Sequence, residues 1–132
     1  MKKNTNQWVE FAKRDLKAAD ELKDDEYLAN ISLFHSQQAV EKILKAIIEE
    51  TGIQIPRIHN VTELYKRIGN LITIEESSLD ILDNVYIEAR YPADMGLLPS
   101  GHPTTDDANE IYTMAEQIFN KCLNYIENKE TP

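Results

Sequence analysis

Hydrophobic residues recur along this chain at intervals of three and four positions, which is the spacing of one face of an α-helix. This spacing predicts a first helix from Asn4 to Asp24 and a second from Glu26 to Glu50, which the pair Thr51-Gly52 ends. The apolar positions of the first helix are Trp8, Ala12, Leu16, Ala19 and Leu22. Because alanines stand among them, a neighbouring helix can approach this face closely.

The second predicted helix has an apolar side and a polar side. The apolar side carries Leu33, Val40, Ile43, Leu44 and Ile47, and the polar side carries His35, Gln38, Lys42, Lys45 and Glu49. Ile31 and Phe34 interrupt the polar side near its start, and burying two such side chains contributes about 3–5 kcal/mol. A monomeric bundle does not require them there, so the pattern predicts a two-fold symmetric homodimer.

A short helix and a third long helix follow. Asn60 with Glu63 resembles a capping box at the start of the short helix. Thr73 with Glu76 matches that pattern more closely and predicts the start of the third long helix. Pro92 limits this helix, because the residue before a proline avoids the helical region.

The last helix is preceded by a segment rich in proline and glycine, from Tyr91 to Pro103, which predicts a loop. Thr104 and Thr105 can cap the last helix, and Asp106 and Asp107 suit its positive end. The apolar positions of this helix are Ala108, Ile111, Tyr112, Ala115, Ile118, Phe119, Cys122 and Ile126.

The segments together predict an all-α fold with one domain over residues 1–132. The expected arrangement is an antiparallel up-and-down four-helix bundle, with a short extra helix between the second and third long helices. No segment approaches the ~20 apolar residues of a membrane span, so we expect no membrane association. Cys122 is the only cysteine, which excludes an internal disulfide and favours a cytoplasmic location.

Charge and residue types narrow the possible chemistry. The net charge of −9 argues against tight, general binding of nucleic acid, although a few converging cations could still hold an RNA phosphate. His35, His59 and His102 do not stand four residues apart, and the glycines form no phosphate-binding loop. We therefore expect no metal site and no cofactor.

One candidate patch lies within residues 37–46 of the second helix. Gln38, Lys42 and Lys45 project from one side of this helix, with Glu41 beside them. The alternative interpretation is that the lysines pair with glutamates on a solvent-exposed face.

A second candidate patch lies within residues 89–94. Arg90 at a helix end, followed by Tyr91 and a turn fixed by Pro92, can hold a phosphate or the carboxylate of a partner. The alternative is a cation that faces the negative end of its own helix, with Tyr91 packed on the bundle.

Together, these patches resemble the HEPN domain family. The resemblance rests on residues 37–46 (QQAVEKILKA), on residues 56–64 with His59, and on residues 89–92 (ARYP). Trp8 and residues 13–19 also resemble the first helix of that family. The resemblance spans nearly the whole chain, in the order and spacing of the family.

The resemblance implies an up-and-down helical bundle that forms homodimers and pairs with a small nucleotidyltransferase in a two-component system. Some HEPN proteins are metal-independent ribonucleases, often toxins, whose R-x4-6-H motifs converge at the dimer cleft. Others lack the motif and are regarded as nucleotide-binding or non-catalytic partners.

This sequence departs from the ribonuclease pattern. Arg90 matches the arginine, but no histidine follows at the required distance, and the next one is His102. We therefore expect a dimeric partner of a nucleotidyltransferase that is non-catalytic or binds a nucleotide. We assign no catalytic residue to this chain. The residues expected to bind a nucleotide, an RNA phosphate or the partner are Arg90, Tyr91, Asp94, Gln38 and Lys42.

Two alternatives stay open. The chain is a ribonuclease if His102 folds back to Arg90 to complete an atypical active site. It is a purely structural dimerisation module if Arg90 only closes the bundle.

Overall fold

A computed structural model describes residues 1–88 and 103–129, and its helices follow the predicted order. The helices are α1 (Lys3–Leu22), a short 3₁₀ helix (Glu26–Leu28), α2 (Ala29–Thr51), α3 (Val61–Lys66), α4 (Glu76–Glu88) and α5 (Thr105–Lys129). These two described segments contain no β-strand, and the predicted all-α class is confirmed. The predicted loop from Tyr91 to Pro103 lies outside the described residues except for Pro103 itself.

The first two predicted helices are present with small differences at their ends. The second is divided, because Glu26–Leu28 forms the 3₁₀ helix and α2 begins only at Ala29. The side chain of Asp25 accepts a hydrogen bond from the backbone N–H of Tyr27 at 2.9 Å, which caps this short turn. Gly52 ends α2 with a φ of 83°, a left-handed conformation that glycine adopts without steric cost.

Helix α2 is the centre of the fold, because it packs against α1, α3, α4 and α5. The α1–α2 pair is antiparallel. At one end the backbone N–H of Lys2 donates to Glu50 at 2.9 Å, and at the other end Ser32 donates to the carbonyl of Ala19 at 2.8 Å. The start of α5 lies beside the end of α1, where Asn109 donates to Asp24 at 2.9 Å. The complete up-and-down four-helix arrangement stays a prediction.

The core consists largely of the apolar faces that the sequence pattern identified. On α1, however, the predicted residues Trp8, Leu16 and Leu22 are only half-buried, and Val9 is buried. The predicted apolar side of α2 is buried, and Ile43, Leu44 and Ile47 are fully so. In α1, Ala12 and Ala19 are also fully buried, which is consistent with close approach of α2. On α5 the buried residues are Ala108, Ile111, Ala115, Ile118, Phe119, Cys122 and Ile126. Each fully buried aliphatic side chain contributes about 1.5–3 kcal/mol of hydrophobic free energy.

Burial also determines the chemistry of the single thiol. Cys122 is fully buried, and this burial raises the pKa of its thiol to about 12. The thiol is therefore protonated and unreactive at neutral pH, as expected of a small hydrophobic core residue. No helix in the described part of the chain is long and apolar enough to cross a membrane.

The start of α5 confirms a predicted cap. The hydroxyl of Thr104 accepts from the backbone N–H of Asp107 at 3.1 Å, and the carboxylate of Asp107 accepts from the backbone N–H of Thr104 at 3.0 Å. This is a reciprocal capping box with aspartate in place of glutamate. At the start of α3, Asn60 accepts from the backbone N–H of Glu63 at 2.8 Å, as predicted.

The predicted cap at Thr73 and Glu76 is wrong, because α4 begins only at Glu76. A tertiary contact holds the preceding residues outside a helix. The hydroxyl of Tyr65 donates to the carbonyl of Ile72 at 2.9 Å and accepts from the backbone N–H of Ile74 at 3.0 Å. Ile72 and Ile74 are both buried, so core packing and the phenol override the local capping pattern.

Candidate functional site

The polar face of α2 is more buried than its sequence suggests. Gln37 is fully buried, and the side chains of Glu41 and Lys45 are only 3% and 8% exposed. The interpretation of this patch as lysines and glutamates paired on a solvent-exposed face is therefore half wrong. The pairing is present, but the Glu41–Lys45 pair lies within the protein.

Glu41 is the centre of a hydrogen-bonded cluster. Lys45 lies one helical turn further along α2, and its ammonium donates to Glu41 Oε2 at 3.1 Å. The Gln38 amide donates to Glu41 Oε1 at 3.3 Å, and His59 Nδ1 lies 3.1 Å from the same oxygen. An ionised carboxylate only accepts hydrogen bonds, so Nδ1 of His59 carries the hydrogen in this contact.

The loop residue His59 is held from α2 at two points. Glu41 holds the ring at Nδ1, and the amide of Gln37 donates to the backbone carbonyl of His59 at 3.1 Å. Despite these anchors, 56% of the His59 side chain is exposed. The imidazole is thus fixed in orientation and accessible to solvent at the same time.

Three rings lie in a row beside this cluster. The His59 ring stacks on Tyr86 of α4, with centroids 5.2 Å apart and planes inclined by 16°. Tyr86 in turn stacks on Phe34 of α2, with centroids 6.3 Å apart and planes inclined by 27°. The row joins α2, the loop before α3 and the end of the described part of α4.

Helix α4 also holds the start of α3, just beyond His59. The carboxylate of Asp83 accepts from the backbone N–H of Val61 at 2.7 Å and from the hydroxyl of Thr62 at 2.6 Å. The segment from His59 to Thr62 is therefore anchored from α2 on one side and from α4 on the other.

A second cluster joins α1 to α2. Asp15, whose side chain is 11% exposed, contacts His35 Nδ1 at 2.8 Å and accepts a hydrogen bond from the ammonium of Lys42. The Phe11 ring lies 6.0 Å from that ammonium. Because both partners of Asp15 come from α2, this cluster braces the antiparallel pair.

Two of the residues predicted to bind a ligand, Gln38 and Lys42, belong to the described part of the chain. The Gln38 amide nitrogen donates to Gln37 Oε1 at 2.8 Å as well as to Glu41, and the ammonium of Lys42 pairs with Asp15. Their role in ligand binding stays a prediction. Arg90, Tyr91, Asp94 and His102 lie outside the described residues.

Three residues that build these clusters had no functional role predicted from the sequence, namely Asp15, His59 and Tyr86. His59 carried a signal, because it lies in one of the segments that resemble the HEPN family. Asp15 lies in another of those segments, residues 13–19, but its burial was not predicted, because a single aspartate among polar residues of a helix is usually exposed. Within residues 1–88 and 103–129, no group of three or more histidine, cysteine or acidic side chains is placed to hold a metal ion.

The helical order and the HEPN-like segments agree with comparisons to known proteins. The family model of the HEPN domain matches residues 5–126, which is nearly the whole chain. The chain belongs to the HEPN domain family. This membership confirms the resemblance drawn from residues 37–46 and 89–92.

Individual similar proteins match nearly the whole chain over most of their own length. A protein of Methanocaldococcus jannaschii named "putative toxin" is 28% identical over 135 residues, covering 92% of this chain and 88% of its own. A crystal structure of a Thermus thermophilus protein superposes with a TM-score of 0.79 at 25% identity, covering 94% of this chain and 99% of the other. An archaeal HEPN homologue gives a TM-score of 0.70 at 26% identity, covering 96% and 99%. Similarity to these proteins extends over nearly the whole length of the chain.

Burial of the Glu41–Lys45 pair leads to a stability prediction. Lys45→Met leaves a buried carboxylate without its main counter-charge, so we expect the free energy of unfolding in urea to fall by about 3–5 kcal/mol. The double variant Glu41→Leu with Lys45→Met removes both charges, and we expect it to recover most of that loss.

The matched control for this experiment is Lys66→Met. Lys66 also lies 3.1 Å from a glutamate, Glu63, but those side chains are 61% and 50% exposed. We expect a loss below about 1 kcal/mol there. If Lys45→Met and Lys66→Met lost the same free energy of unfolding, the Glu41–Lys45 pair would behave as a hydrated surface pair, which would contradict its burial.

Proposed function

We propose that this chain is a non-catalytic, nucleotide-binding HEPN subunit that works as a homodimer with a nucleotidyltransferase. The single observation that supports nucleotide binding best is the accessible but firmly held ring of His59, in a row with Tyr86 and Phe34. Aromatic and imidazole rings fixed in this way are the surfaces on which nucleobases stack.

The charges of the α2 face support a small ligand over a long stretch of RNA. Lys42 is paired with Asp15, and Lys45 is paired with Glu41, so this face adds little net positive charge. RNA bound along its backbone needs several unneutralised cations, and the chain as a whole carries −9. Arg90, two positions beyond Glu88 in the sequence, is the proposed contact for a phosphate.

The partner is proposed from family membership. The HEPN resemblance implies pairing with a nucleotidyltransferase, and the name of the Methanocaldococcus relative supports a toxin–antitoxin setting. In such a pair, a subunit that binds a nucleotide without cleaving RNA would present the nucleotide, or itself, to the transferase.

A second candidate function is a metal-independent ribonuclease. The observation that favours it is the Glu41–His59 contact, because a carboxylate that holds Nδ1 leaves Nε2 of a neutral imidazole as a proton acceptor. This candidate still needs a cation to stabilise the phosphorane. Arg90 matches the arginine of the family motif, whereas His102 lies beyond the spacing of that motif and would have to fold back.

Substitution of Arg90 distinguishes a ligand role from a structural role. We expect Arg90→Ala to weaken binding of adenosine monophosphate about tenfold or more, because a charge-assisted contact to phosphate is lost, with a melting temperature close to that of the wild type. Binding is measured by calorimetric titration. Arg67→Ala, at an exposed arginine after α3, is the matched control and should bind as the wild type does.

A structural role for Arg90 would lower the melting temperature and affect binding only through unfolding. The ribonuclease candidate gives a different result again. Cleavage of RNA by the wild type in EDTA, abolished by both Arg90→Ala and His102→Ala, would contradict the proposed non-catalytic function.

Homodimerisation is proposed from the apolar residues that remain exposed in one chain. Ile31 of α2 is 39% exposed and Ile87 of α4 is 41% exposed, although both stand in helices of the bundle. We expect light scattering at micromolar concentration to give about twice the chain mass of 15.2 kDa. Ile31→Glu should shift this to the monomer mass, because it places a charge in an apolar interface.

The control for the assembly experiment is Ile53→Glu, at an equally exposed isoleucine in the loop after α2. It should leave the mass unchanged. A wild-type particle of 15.2 kDa would contradict the dimer directly.

A further inference from the structure

The two α2 side chains that hold His59 are polar, and burying them costs free energy. Gln37 is fully buried and Glu41 nearly so, and apolar residues at these positions would avoid the desolvation of an amide and a carboxylate. Besides their contacts within α2, both side chains place the same loop residue, since Gln37 holds the backbone carbonyl of His59 and Glu41 holds its ring. Buried side chains of α2 therefore fix the position of an exposed imidazole.

The environment of the His59 ring shows which part of it can meet a ligand. Tyr86 lies against the ring in a nearly parallel stack, and Phe34 backs Tyr86 in turn. Nevertheless, more than half of the His59 side chain is exposed. His59 is thus the accessible end of a row of three roughly parallel rings.

We propose that the accessible face of His59 is a stacking platform for the base of a purine nucleotide, which extends the row Phe34–Tyr86–His59 by one ring. This inference rests on the proposed function and specifies where the base of the nucleotide binds. Every nucleobase has a π-face, and a purine offers the larger one. Because Glu41 and Tyr86 already fix the imidazole, little side-chain freedom is lost when the base stacks.

A second histidine, on α2, lacks this geometry. His35 is less exposed than His59, at 31% of its side chain, but is also held at Nδ1 by a carboxylate, that of Asp15. Its ring, however, meets Phe34 edge-on at 87°, so it does not continue the row of parallel rings. His35 therefore provides a matched control that has the same residue type, the same kind of partner and a different ring orientation.

The experiment compares two ligands that differ only in the presence of a base. Adenosine monophosphate and ribose 5-phosphate are titrated separately into the full-length protein by calorimetry. We expect the wild type to bind adenosine monophosphate at least about tenfold more tightly, because stacking favours the ligand with a base. His59→Ala should remove this preference and leave the affinity for ribose 5-phosphate unchanged, whereas a general structural defect would weaken both ligands.

Two further variants complete the test. His59→Phe keeps a ring without the nitrogens, so it should retain most of the preference, and His35→Ala should retain all of it. A preference that persists in His59→Ala overturns the inference. So does a His59→Phe variant that behaves as His59→Ala does, because the ring nitrogens would then matter and the stacking face would not.

The wild-type result separates this inference from the proposed function. Equal affinity for both ligands overturns the stacking site while the phosphate part of nucleotide binding survives. Binding of neither ligand contradicts nucleotide binding itself and the inference with it.

Discussion

The buried ion pair between Glu41 and Lys45 is the interaction on which the candidate site of this structure depends. The two residues are one turn apart on α2, so helix geometry alone brings their side chains together. A carboxylate has more acceptor positions than one ammonium uses, and the remaining capacity of Glu41 is taken by Gln38 and His59. The carboxylate of Glu41, whose charge Lys45 compensates within the same helix, therefore also holds the loop that precedes α3. The pair is not needed for the stability of the core, which apolar packing provides.

The central position of α2 connects the core of this HEPN domain to its candidate site. One side of α2 packs against α1, α4 and α5, and its polar residues hold Asp15 of α1 and His59 of the following loop. Helix α4 completes the arrangement, because Asp83 fixes the start of α3 and Tyr86 stacks on His59. A change in the packing of α2 against α4 would therefore move the imidazole relative to its stacking partner, which couples the accessible ring to the bundle.

The helices of this chain could be predicted from sequence because their apolar residues recur with helical spacing. For α5 the cap at Thr104 could be predicted as well, and the structure adds the reciprocal bond of Asp107. The predicted cap at Thr73 failed because Tyr65, eight residues earlier, binds the backbone on both sides of that position. The burial of Glu41 and Lys45 was not predictable from α2 alone. It depends on neighbours that only the fold brings together, such as the Trp8 ring of α1, which lies 5.6 Å from the Lys45 ammonium. The remaining predicted site residues, Arg90 among them, lie outside the described segments.

The buried carboxylate of Glu41 determines which ring nitrogen of the exposed His59 carries the hydrogen. Nitrogen-15 NMR of the imidazole tests this relation most directly. At a pH where the ring is neutral, the account predicts that His59 carries its hydrogen on Nδ1, because Glu41 accepts it there. Glu41→Leu, with Lys45→Met to keep the interior uncharged, removes the acceptor and should remove this bias. A wild-type ring that carries its hydrogen on Nε2, or a tautomer ratio that the double variant leaves unchanged, would contradict the account.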